Sequence, residues 1–152
     1  MLQRGAGIIT RGCYAARILI WALVLPALKA RMPLATLVRL MWVHPRPGQR
    51  RPERETDIIR LTGRLYRPRS GIGPHNCLER SLLLYRLLAG AGAGPQLIVA
   101  AGRGSRRWPG HAWVLVDGQP VGETPADLRG YVPVAAFGPA GQRVVLPRDS
   151  GA

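Results

Sequence analysis

Asn76-Cys77-Leu78-Glu79-Arg80-Ser81-Leu82-Leu83-Leu84-Tyr85-Arg86-Leu87-Leu88 is the stretch whose reading decides the fold. It reads as an apolar helix that Cys77 opens. Asn76 can serve as N-cap with Glu79 three residues on, a capping-box-like arrangement, and Gly90 closes the apolar run. Cys77 then lies in the first turn, where unpaired backbone N–H groups and the positive end of the helix dipole favour a thiolate. Those N–H groups, aimed outward, also form a natural half of an oxyanion hole. A second stretch begins 34 residues after the cysteine: His111-Ala112-Trp113-Val114-Leu115-Val116-Asp117-Gly118, strand-like and closed by a turn dipeptide. A cysteine in an apolar helix or a histidine in a strand is ordinarily a core group. Their combination points to a thiol nucleophile and its base.

Around the helix and its strand the chain sorts into recognisable pieces. Glu53 to about Tyr66 has helical spacing, with Ile58, Leu61 and Leu65 on one face, weakened by Thr62 and Gly63. Pro68, Gly71, Gly73 and Pro74 make a turn-rich approach to Cys77. After Gly94-Pro95 the pattern becomes strand-like in short runs: 96–101, 111–116, 121–124, 132–137 and 143–146, mostly separated by glycine-containing turns. A nucleophile helix followed by a mostly antiparallel sheet is an α+β arrangement with the helix packed on one sheet face.

Upstream, residues from about 13 to 43 read as two helices broken near Pro33, with Pro26 kinking the first or ending it early. His44-Pro45-Arg46-Pro47-Gly48-Gln49-Arg50-Arg51-Pro52 cannot hold a helix and reads as a solvated linker. The chain therefore divides into residues 1–52, an N-terminal helical section with a Pro/Arg-rich linker, and residues 53–152, the core. Within the first section Ile18 to Leu28 is apolar for eleven residues between Arg17 and Lys29. That is short of the ~20 needed to span a bilayer. The run continues through Lys29-Ala30-Arg31-Met32-Pro33 without a clean cleavage site, so it reads as a buried helix rather than a signal or an anchor.

At 152 residues one core is expected. The two cysteines, Cys13 and Cys77, stand too far apart in sequence to suggest a disulfide framework or a metal cluster. A reducing, cytoplasmic setting with neither metal nor cofactor is the expectation. The formal net charge is +14, almost wholly from arginine, since Lys29 is the only lysine. The arginines are scattered, without the aromatic platform or reader motif of a nucleic-acid-binding protein. An acidic peptide or protein surface suits them as well, and no nucleic-acid partner is expected.

Three acids compete to orient His111: Asp117, Glu123 and Asp127. Asp117 shares the His111 face but lies six residues along the strand, ~20 Å away, and Asp117-Gly118 is better read as a hairpin turn. Folding back at that turn brings Glu123 near His111. A strict two-residue turn sets Thr124 opposite His111, whereas one bulged residue, which Gly118 can supply, moves Glu123 directly across. Asp127 serves instead if the second strand ends early and curls back.

Cys77-Leu78-Glu79-Arg80-Ser81-Leu82, then Pro95-Gln96-Leu97-Ile98-Val99, then Gly110-His111-Ala112-Trp113-Val114 together resemble the transglutaminase-like cysteine peptidases of lasso-peptide biosynthesis, in their stand-alone leader-peptidase form. The likeness covers about residues 55 to 125, and an N-terminal helical section of this length fits the family too. It implies a papain-like/transglutaminase-like fold and a Cys-His-acid triad that cuts a leader from a ribosomally made precursor. By position Cys77 is the nucleophile and His111 the general base and acid. The third member is usually aspartate, and the matching place, twelve residues after the histidine, holds Glu123. The oxyanion donors implied are the Cys77 backbone N–H with Asn76 or His75. The resemblance also implies partners: the precursor's leader region, a separate leader-binding recognition protein that presents it, and the lasso cyclase that acts next. Two other readings suit the same residues, an acyl transferase using an amine in place of water and a non-catalytic basic adaptor binding peptide or nucleic acid.

Overall fold

The computed structural model describes residues 2–45, 48, 50–66, 77–103 and 110–145, with side chains from residue 12 onward. Along the chain these form α1 (Leu2–Arg31), α2 (Leu34–Met41), α3 (Pro52–Leu65), α4 (Cys77–Gly90), β1 (Gln96–Gly102), β2 (His111–Val116), β3 (Gln119–Val121), α5 (Pro125–Leu128), β4 (Tyr131–Phe137), a single 3-10 turn at Pro139–Gly141 and β5 (Arg143–Val144).

Helix α4 is buried almost all round. Leu82, Leu83, Leu84, Tyr85, Leu87, Leu88 and Ala89 lie inside, which is why its sequence lacks a polar stripe. Of the polar atoms drawn in with them, Ser81 Oγ, the Tyr85 hydroxyl and Glu79 Oε1 have partners, while Glu79 Oε2 and Arg80 Nε make no hydrogen bond among the described residues. Ser81 Oγ donates to the Ala112 carbonyl at 2.8 Å. The Tyr85 hydroxyl donates to the Gly138 carbonyl at 2.5 Å and accepts the Gly141 N–H at 3.0 Å. Glu79 is 1% exposed, and its Oε1 lies 2.6 Å from Lys29 Nζ of α1. The helix ends at Gly90 as expected, and the left-handed residue that closes it is Gly92 (φ +90°): the Gly92 and Ala93 N–H groups bond back to the Ala89 and Leu88 carbonyls, a Schellman motif.

The five strands form one antiparallel sheet in the order β3-β2-β1-β4-β5. Period-two alternation divides its side chains. Leu97, Val114, Val116 and Phe137 join the leucines of α4 in the main core, while Ile98, Ala100, Trp113 and Ala136 form a smaller cluster on the opposite face. The α+β reading holds: a helix carrying the cysteine packs on one face of an antiparallel sheet.

Four expectations need correction. Helix α1 starts at Leu2, not near residue 13, and runs across Pro26 to Arg31, which rules out the early end among the two alternatives for that proline. Proline there costs one backbone donor, and the helix is long enough to tolerate it. The helix is also half-buried rather than buried: Ile18 and Leu25 are enclosed, but Leu19, Ile20, Leu23 and Val24 are open to solvent. A 20-residue segment, Gly12–Arg31, is long and apolar enough to cross a membrane, more than the eleven-residue run suggests, because the flanking alanines extend it. Third, the linker is not merely solvated. Arg50 reaches Glu55 at 2.9 Å and Asp117 at 2.5 Å, tying the linker to α3 and to the β2–β3 turn.

The fourth correction concerns the hairpin. Val116 pairs with Gln119 and Val114 with Val121, so the turn is a strict two-residue one without a bulge, and β3 spans 119–121 instead of 121–124. Asp117 (φ +52°) and Gly118 (φ +76°) both take the left-handed backbone that a type I′ turn demands.

Candidate active site

Cys77 is the first residue of α4, and its half-buried thiol donates to the Gly110 carbonyl at 3.8 Å. That carbonyl belongs to the residue immediately before His111. The helix start and the start of β2 therefore meet at one corner, secured one turn further along α4 by Ser81 on the Ala112 carbonyl. Gly110 is needed there: a Cβ would stand 3.0 Å from the Ala100 carbonyl of β1. His75 and Asn76, the expected oxyanion donors, lie outside the described residues, as does the Asn76 half of the expected cap. Glu79, the other half, is turned towards Lys29.

Without the bulge Glu123 still reaches His111. The β2–β3 ladder stops at Val121, Gly122 takes a positive φ (+73°) and leads the chain out of the sheet, and Glu123 Oε1 comes to 3.7 Å from His111 Nε2. A left-handed glycine does here what a bulge would have done. The imidazole is held between two rings: Trp113, two residues along the same strand, at 5.9 Å between centroids, and Tyr131 of β4 at 4.9 Å.

The early end of β3 is the condition under which Asp127 becomes a candidate, and the chain does curl back. Asp127, however, is engaged at the start of α5. Its Oδ2 accepts the Thr124 N–H at 2.8 Å and the Thr124 hydroxyl at 2.6 Å, and the Asp127 N–H returns to Thr124 Oγ1, a complete capping box. Those hydrogen bonds hold its carboxyl below the usual aspartate range. Asp117 is taken by Arg50 at the far end of the strand.

Arg80 is the residue the sequence reading passed over. It stands three residues after Cys77, on the same face of α4, and is ion-paired through its guanidinium to Glu123 Oε1. Glu123 thus lies between an arginine and the histidine, and its side chain is largely buried. The i, i+3 spacing from Cys77 was the available signal. Tyr131 had none, because it reaches His111 only through the β1–β4 register, which no local pattern discloses.

The electrostatics follow from this packing. Burial, then the Arg80 charge, push the His111 imidazole below its ordinary 6.5, while Asp127 pulls it back up. A histidine so placed is neutral at neutral pH and can accept a proton. Burial also lowers Arg80, with the Cys77 sulfur and Asp127 opposing. Among the described residues no group of three or more metal-ligating side chains occurs. The corner offers a sulfur, an imidazole, a carboxylate and a fixed cation, the parts of nucleophilic acyl chemistry.

Neither the curated proteins nor the solved structures compared with this chain gave a match. A family model described as the transglutaminase-like superfamily matches residues 16–136, from within α1 to the penultimate residue of β4 and across every residue of this corner. That superfamily includes cysteine peptidases, and its members typically work through a cysteine. On a match of that extent, the chain belongs to the transglutaminase-like superfamily.

Proposed function

We propose that the protein is a cysteine peptidase that removes the leader from a ribosomally made lasso-peptide precursor, presented by a separate leader-binding protein. The observation that carries the catalytic part is the convergence of Cys77 Sγ on the residue preceding His111 with Glu123 Oε1 at 3.7 Å from His111 Nε2. The substrate and the partners rest on the resemblance of the Cys-Leu-Glu-Arg-Ser-Leu and His-Ala-Trp-Val blocks to that peptidase family.

Glu123 on the Nε2 side leaves Nδ1 as the nitrogen that takes the thiol proton. The sulfur attacks the scissile carbonyl carbon, a thioester forms to the leader, and the imidazolium gives its proton to the departing core-peptide amine. Water, deprotonated by the neutral imidazole, then cleaves the thioester and returns the thiol. The Cys77 backbone N–H, first in its helix, is one donor for the oxyanion.

The test is cleavage of a precursor by the full chain together with its leader-binding partner. Cys77→Ala lowers the single-turnover rate on the order of 10⁴-fold or more. Glu123→Gln costs well beyond Asp127→Asn, because only the first removes the carboxylate aimed at Nε2. Cleavage that survives Cys77→Ala would sink the peptidase reading, and equal losses in the two acid variants would take the third role from Glu123.

A further inference from the structure

We propose that the outer face of α1 docks on an anionic membrane surface, the helix lying in the plane of the interface while its inner face stays in the protein core. Two independent observations carry this. The first is the face itself. Ala16, Ile20, Leu23, Ala27 and Ala30 follow one another at helical spacing, flanked by Leu19 and Val24, and all are exposed; Leu23 is 82% open and Ile20 59%. No charged residue interrupts the helix between Arg17 and Lys29. The second is charge. Residues 1–52 hold nine basic residues and no acid, and the first acidic residue of the chain is Glu53. Exposed Arg17 and Arg31 flank the apolar face.

An apolar helical face edged by arginine suits acyl chains below and lipid phosphates at the rim. The same charge opposes a second copy as the occupant, because two such sections would bring like charges together. Spanning is opposed by the inner face. Ile18 and Leu25 are fully buried, Lys29 is paired to the buried Glu79 of α4, and Arg86 of α4 stacks on the Trp21 ring at 4.5 Å. Lipid all round α1 would leave that carboxylate without its cation, so a helix long enough to span lies flat instead.

The test is flotation of the full chain with phosphatidylcholine vesicles that do or do not contain phosphatidylglycerol, at low and high salt. The protein is expected to float with the anionic vesicles only, to be released by high salt, and to be stripped by alkaline carbonate. Leu23→Gln, and the double variant Leu19→Gln with Leu23→Gln, are expected to weaken binding by about tenfold or more with an unchanged unfolding midpoint, since both sites are exposed. Failure to float with anionic vesicles, wild-type binding by the double variant, or resistance to carbonate each overturns the proposal. So does a stable dimer in lipid-free solution that the double variant dissolves. Cleavage in vesicle-free solution does not depend on this face, so the result stands apart from that of the peptidase reading.

Discussion

Helices α1 and α4 are the two long apolar helices of the described chain, and the fold uses them in opposite ways. Helix α4 is enclosed by α1, α2, α3 and the sheet, and the polar atoms it carries inward bind specific neighbours: Ser81 the start of β2, Tyr85 the turn after β4, Glu79 the ammonium of α1. Helix α1 gives the core one stripe, Ile18 and Leu25, and leaves its other apolar half outside. Hydrophobicity alone does not decide burial. What separates the two is the set of buried polar partners, which fixes α4 from several directions and α1 from one.

Truncation breaks this comparison most directly. Leu82→Ala is expected to cost about 2–5 kcal/mol, the range for a fully buried leucine whose surroundings relax only partly. Leu23→Ala on the open face of α1 is expected to stay within ~0.5 kcal/mol. Denaturant unfolding of the two variants checks both, and similar losses would mean that the outer face of α1 is packed in solution.

A smaller effect sharpens the account of the corner that α4 supports. Proton NMR of His111 is expected to give a midpoint below 6.5, and Arg80→Gln to raise it, since the arginine charge is one of the two causes that lower it. The stability consequence has a definite sign. Between the folded and unfolded values the unfolded chain binds more protons, so the His111 contribution is complete above about 6.5 and is lost as pH falls through the lower folded value. A midpoint at or above 6.5, or one unmoved by Arg80→Gln, contradicts the arrangement.

Much of this was readable from local pattern. The apolar run after Cys77, the alternation from His111 and the Asp117-Gly118 turn each encode their element within a few residues, and the α+β layout follows from their order. The corner was readable only in outline. Glu123 and Asp127 were both in reach of His111, but the choice hangs on Gly122, whose positive φ is not visible in its sequence context. Arg80 was in view without a role, because an ion pair to Glu123 requires knowing where the hairpin leaves the sheet. The exposure of α1 was hidden for a different reason. Its apolar residues look the same whether protein, lipid or water lies against them.

The central claim is that Cys77 forms the acyl bond. Intact-mass measurement of the full chain, mixed with precursor and leader-binding partner and quenched in acid during the first turnover, tests it. The account predicts a thioester adduct with the mass of the leader, mapped to the Cys77 peptide and absent after Cys77→Ala. Cleavage without an adduct in Cys77→Ala, or an adduct mapped to Cys13, would contradict it.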